Sequence, residues 1–198
     1  MSNKSTRKFK PNAAAKSEAG FTLIEVVVAI FVVTIGLIGA VAAITYALEF
    51  GSMSRNVTAA KSIIVGTVEE VETLRNARRL EFKQIANVGA VNNTNVANRF
   101  TGFTDGFQAV STEPGADGVN GTDDDFTSRG GDGVFGTPDD VTGDLSLVRA
   151  GYDRQISITN LSNSLKKIEI RVQYVGRAGN VGEITGVCYL NDEVRITR

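Results

Sequence analysis

Gly20-Phe21-Thr22-Leu23-Ile24-Glu25-Val26 leads into a run of 23 residues, Val26 to Leu48, that carries no charge. That run exceeds the roughly 18 residues that mark a membrane-helix candidate, and at about 1.5 Å per residue it covers about 35 Å, the depth of a bilayer core. The chain is therefore expected to reside in a membrane at some stage. Glu25 is out of place there. A carboxylate at the head of an apolar helix costs about 3 kcal/mol unless it finds a partner.

On the N-terminal side of this stretch, Lys4, Arg7, Lys8, Lys10 and Lys16 stand against Glu18 alone, whereas the remainder of the chain is net acidic. Basic residues directly before a membrane helix keep that end cytoplasmic and place the C-terminal domain on the other side. They argue for membrane topology, not for nucleic acid. A secretory signal would put its small-residue cleavage site after the apolar run. Here the order is reversed: Gly20 precedes the run, and Ala40-Val41-Ala42 inside it is followed by more apolar residues.

With 198 residues, a leader and a membrane stretch leave room for one small domain beside a long helix. Cys188 is the single cysteine, so no disulfide forms within the chain and no Cys-rich metal site exists. The absence of histidine removes Ser-His-Asp triads, Cys-His pairs and imidazole zinc ligands. No enzyme constellation is left with suitable spacing, and the chain reads as a non-enzyme.

The basic leader followed by Gly20-Phe21-Thr22-Leu23-Ile24-Glu25-Val26 resembles the class III signal of type IV prepilins and pseudopilins. The resemblance covers about residues 16–80, with a weaker likeness in the C-terminal strands. In that family a membrane-embedded aspartyl prepilin peptidase cuts after the glycine and methylates the new amine. This implies cleavage between Gly20 and Phe21 and N-methylation of Phe21. It also implies a precursor in the inner (cytoplasmic) membrane with its N-terminus cytoplasmic. Other pilin subunits, met through the N-terminal helix, and an inner-membrane assembly machinery are the implied partners. The destination is an extracellular pilus or a periplasmic pseudopilus. Glu25 gains a role in this setting: in a stack of subunits it can meet the N-terminal amine of a neighbour, removing two unpaired charges from an apolar bundle. For a generic anchor it would only snorkel at the membrane surface. Val26-Val27-Val28-Ala29-Ile30, Gly36-Leu37-Ile38-Gly39 and the stretch from Lys166 to Tyr174 resemble minor-pilin sequences. A type II secretion pseudopilin is the next reading, and an anchored binding or sensor domain that never polymerises is the alternative of a different class.

Beyond Leu48 the apolar residues become one-sided: Val57, Ala60, Ile64, Val68, Val71 and Leu74 recur every three or four positions. No proline interrupts Phe21 to Gln84. One helix over 21–86 is predicted, with 21–50 as its membrane or filament core. Glu69, Glu70 and Glu72 before Arg75, Arg78 and Arg79 suit its approach to a C-terminus. Gly36, Gly39, Ala40 and Ala43 give small-xxx-small pairs that admit close helix packing, and ordinary glycine tolerance explains them equally well.

Residues 87–151 read as a loop region with an acidic, glycine-rich insert: ten acidic residues lie between Asp105 and Asp144, against Arg129 alone. It holds a repeat at an offset of 15, Asp117-Gly-Val-Asn-Gly-Thr-Asp123-Asp124-Asp125 and Asp132-Gly-Val-Phe-Gly-Thr-Pro-Asp139-Asp140. Two copies do not make a solenoid. Ca²⁺, which takes about six to eight oxygen ligands, is the one cofactor this composition suggests, with Asp117, Asp123, Asp124, Asp125, Asp132, Asp139 and Asp140 as candidate ligands. A bound ion would also stand in for the disulfide with which many pilins close their C-terminal region. The spacing departs from the EF-hand, and Phe135 occupies a position where a calcium nonapeptide has aspartate. A solvated acidic loop is the competing reading. Gly131-Asp-Gly133-Val-Phe-Gly136 matches a dinucleotide fingerprint by letter, but no strand is predicted before it and the neighbouring aspartates would repel phosphates.

From Asp153 the chain reads as strands: Gln155 to Ile158, Ile168 to Tyr174, Ile184 to Leu190 and a short one from Glu193 to Thr197. Cys188 falls mid-strand as a core residue. The expected fold is α+β and pilin-like, a long N-terminal helix packed on an antiparallel sheet over 152–198.

Overall fold

The computed structural model describes residues 20–91, 99–176 and 179–192. The leader before Gly20 and the strand expected from Glu193 to Thr197 lie outside the described residues. The chain divides into two units at Ala47/Leu48, and one helix, α1 (Leu23–Asn76, 54 residues), belongs in part to each.

In the first unit α1 starts at an N-cap, Thr22, whose hydroxyl accepts the Glu25 N–H at 3.3 Å. Thr22 with Glu25 three residues on is the sequence pattern of a capping box. Thr34 and Thr45 turn their hydroxyls back onto the carbonyls of Ile30 (2.7 Å) and Val41 (2.9 Å), so neither presents a bare donor to an apolar surrounding.

The second unit is built on the amphipathic half of the same helix. Ala60, Ile63, Ile64, Thr67, Val71 and Leu74 form its buried face. The helix ends ten residues before the predicted limit. Arg78 takes a left-handed conformation (φ 56°). Its N–H bonds Arg75 O at 2.9 Å, and the Arg79 N–H bonds Leu74 O at 2.9 Å. These two bonds form a Schellman C-cap with arginine where glycine is usual. Leu80, Phe82 and Ile85 stay buried after the cap, which is why the apolar pattern reads on as helix.

The principal sheet has the order β1–β4–β5–β6, antiparallel throughout, from β1 (Gln108–Ser111), β4 (Val148–Ser162), β5 (Leu165–Val175) and β6 (Val181–Asn191). Strict alternation in β5 buries Lys166, Ile168, Ile170, Val172 and Tyr174 on one face. Opposite Ile170 lies Gly186 of β6, where a Cβ would collide with Ile64 of α1; only glycine lets sheet and helix approach so closely there. The Lys166 ammonium donates to Ile85 O at 2.6 Å and lies 4.8 Å over the Phe82 ring. Asn87 ties the post-helix segment to the sheet by donating to Ile156 O at 2.7 Å and accepting the Ile158 N–H at 2.8 Å.

Three further expectations are corrected. Strand β4 begins at Val148, not Asp153. Its pairing with β1 shifts register between Ala109 and Val110, and Gly151 (φ 84°) lies in β4 opposite the shift, breaking the alternation on which a sequence reading depends. The region 87–151 is not loop throughout: it supplies β1, the short pair β2 (Thr127–Ser128) and β3 (Val141–Thr142), and core residues Phe100, Phe103, Val110 and Val119. Cys188 is half-buried rather than core, its thiol pushed up by burial and by Glu72.

Candidate functional site

Two places answer to the candidate residues, the head of α1 and the acidic repeat. At the head, Gly20, Phe21 and Glu25 are exposed, and so is every residue from Leu23 to Ala47. This is the one helix among the described residues that is long and apolar enough to cross a membrane, and none of its most apolar segment is buried within the chain. Gly36 and Gly39 have open space where a Cβ would stand. The capping pair of Thr22 and Glu25 was legible as Thr-x-x-Glu but is absent from a reading that treats Glu25 only as a misplaced charge. The bond formed uses the Glu25 backbone N–H, with Thr22 Oγ1 as acceptor, and leaves the carboxylate available for a role between subunits.

The repeat is a structural duplication as well as a sequence one. In the first copy Asp117 Oδ1 accepts the Val119 N–H (2.8 Å), Asp124 Oδ2 the Asp117 N–H (3.0 Å) and Asp125 Oδ2 the Gly121 N–H (2.6 Å). In the second, Asp132 accepts from Val134 (2.9 Å), Asp139 from Asp132 (3.3 Å) and Asp140 from Gly136 (2.6 Å). Thr122 and Thr137 occupy matching places, each within 3.0 Å of the carbonyl three residues back and 2.7 Å of the carboxylate two residues on, and each donates to one oxygen at a time. Gly118 and Gly121 (φ 70° and 97°) match Gly133 and Gly136 (72° and 88°). Gly115 and Gly130 lie so close to Asp124 and Asp139 that neither has room for a Cβ. Equivalent Thr127 and Thr142 pair with each other across β2 and β3.

The surroundings of the two copies differ. The first packs into the domain: Val119, Thr122 and Asp125 are buried. Glu70 of α1 accepts both the backbone N–H (3.0 Å) and the side-chain amide (2.8 Å) of Asn120. Arg79 donates to Asp117 O at 3.3 Å. The buried Arg154 lies 3.9 Å from Asp125 and donates to Thr67 at 3.0 Å. Burial pushes Asp117 up to about 7, helped by the charges of Asp124 and Asp125 and resisted by the Val119 N–H. Burial likewise raises Asp125 to about 6 against the pull of the Gly121 N–H and Arg154. In the second copy Val134, Asp132 and Asp139 are exposed. Hydrogen bonds from Thr137 and the Asp132 backbone hold Asp139 below the usual carboxylate range.

The seven candidate calcium ligands are thus gathered into two clusters of three, with Asp123 apart and accepting from Thr104 at 2.9 Å. Their oxygens face backbone N–H groups and threonine hydroxyls. Among the described residues no group of three or more carboxylates is placed to hold a metal ion. Arg154, Glu70 and Arg79 were missed from sequence as partners of the repeat. Isolated charges on a strand and a helix carry no local sign of what they meet 29 or 50 residues away.

Residues 15–41 match the family model described as the prokaryotic N-terminal methylation motif. No curated protein and no solved structure matches the chain. With the methylation motif at its head, a long apolar helix and an antiparallel sheet, the molecule has an α+β, pilin-like layout. Its N-terminal segment is a type IV prepilin-like class III signal, which supports a structural precursor of the pilin or pseudopilin type rather than an enzyme.

Proposed function

We propose that this chain is a structural subunit of a type IV filament, minor-pilin-like, cut after Gly20 by prepilin peptidase and methylated at Phe21. The supporting observation is that the methylation motif coincides with an apolar helical segment which buries nothing within its own chain. Apolar surface of that extent does not persist in water. In the precursor the membrane covers it; in a filament the helices of neighbouring subunits do, with the open sides of Gly36 and Gly39 admitting close approach. The partners are other subunits, the peptidase and the inner-membrane assembly machinery. The precursor lies in the inner membrane with its N-terminus cytoplasmic, and the domain from Leu48 onward is displayed on the far side. A type II secretion pseudopilin would share this anchoring and processing, and filament location separates the two.

Glu25 has two candidate tasks, closing the helix cap and pairing with a neighbour's amine, and Glu25→Gln separates them. Glutamine keeps a capping-box side chain and removes the charge. The variant is expected to be processed normally and to be lost from the sheared filament fraction. Incorporation at the parent level would overturn the charge-pairing role.

A further inference from the structure

The two repeat copies share one internal fold, yet only the first has a receptor. Its Val119 is buried, Asn120 meets Glu70 of α1 and Asp125 meets Arg154 of β4. The second copy keeps the same valine as Val134, now 57% exposed. None of the loop's own hydrogen bonds requires that side chain; the Val134 backbone alone takes part. Residues 130–143 hold Asp132, Asp139 and Asp140 and no cation. Arg99 approaches Gly136 and Arg129 lies 4.9 Å over the Phe135 ring, while Val134 stays open.

The domain also carries a cleft of complementary chemistry. Arg75, Arg78 and Lys83 line it with Glu81 and Asp192, and buried Leu80 and Phe82 form its apolar floor; its volume is about 410 Å³. Among the described residues these three cations make no ion pair. An acidic loop with Val134 exposed near its tip and a cation-rimmed cleft with an apolar floor match in charge and in kind.

We propose that the second repeat copy of one chain docks into the Arg75–Arg78–Lys83 cleft of another copy of this chain, Val134 against Leu80 and Phe82. The contact joins two different surfaces, so it is heterologous and extends head to tail instead of closing a dimer. It uses only the domain from Leu48 onward and does not depend on processing after Gly20, so it can fail while the filament reading stands, and the reverse.

The test is disulfide trapping between two full-length chains mixed in detergent, both carrying Cys188→Ala. One carries Val134→Cys and the other Arg78→Cys. The reference pair replaces Arg78→Cys with Val187→Cys, on an exposed position of β6. Thermal midpoints equal to that of the Cys188→Ala parent establish that each variant folds. The Val134–Arg78 heterodimer is expected to form about tenfold faster than the reference. Arg75→Glu with Lys83→Glu in the cleft-bearing chain should bring it down to the reference rate. Equal rates for the two pairs overturn the proposal. So does a fast rate that survives the charge reversal, or capture of Val134→Cys by a foreign protein in place of a second copy.

Discussion

Copies 117–125 and 132–140 of the repeat differ only at Asn120/Phe135 and Asp123/Pro138 and make the same Asx-type bonds to backbone N–H groups. One lies in the core and the other on the surface. The comparison separates two things a sequence pattern can encode. The loop's internal shape is local: glycines supply positive φ and aspartates supply acceptors two to seven residues away. Its burial is not local, since it depends on Glu70, Arg79 and Arg154 arriving from elsewhere. The carboxylates show the consequence. Asp117 and Asp125 are raised by desolvation in the buried copy, while exposed Asp139, held by Thr137 and the Asp132 N–H, is lowered.

The largest difference is expected on removing a buried partner. Arg154→Ala leaves Asp125 buried without its counter-charge and should destabilise the chain by about 3–5 kcal/mol in denaturant unfolding. Among the described residues no carboxylate of the second copy is in an ion pair, and Val134→Ala there should stay within about 0.5 kcal/mol. Next come the glycines. Gly136→Ala carries the strain of a positive φ alone, about 1 kcal/mol. Gly121→Ala adds a Cβ 2.7 Å from Ile156 Cδ1 and should cost about 1–3 kcal/mol more. A copy-independent cost would break the contrast.

The pH dependence is smaller and has a definite sign. A carboxyl whose folded pKa is raised keeps its proton longer in the native state, so from about pH 4 to about 7 the native state binds more protons and stability falls as pH rises. Asp117→Asn should flatten this slope, read from unfolding midpoints across the range. The smallest expected effect is that of calcium. With the carboxylate oxygens already engaged by N–H groups, thermal midpoints in calcium and in chelator should agree. A rise in calcium that Asp117→Asn abolishes would support calcium binding by the first copy.

What could be read in the sequence follows the same division. The stretch from Gly20 to Val26 and the uncharged run after it are contiguous signals, as is the alternation from Lys166 to Tyr174 that gives β5. The end of α1 was not legible, because Arg78 in a left-handed cap carries no glycine to announce it and Leu80, Phe82 and Ile85 prolong the apolar period. The start of β4 was hidden by Gly151 and by charged Arg149, Asp153 and Arg154. The repeat itself was visible, but both copies read as loop, calcium-binding or solvated, and neither as core. The buried ion pair between Asp125 and Arg154 joins residues whose separate settings look like surface.

The measurement that bears most directly on the account is the N-terminus of the mature chain, by intact mass and N-terminal sequencing of protein from its own membrane or filament. The account predicts a chain that begins at Phe21 and carries one N-methyl group. A mature chain that begins at Met1, or after Ala42, would contradict it.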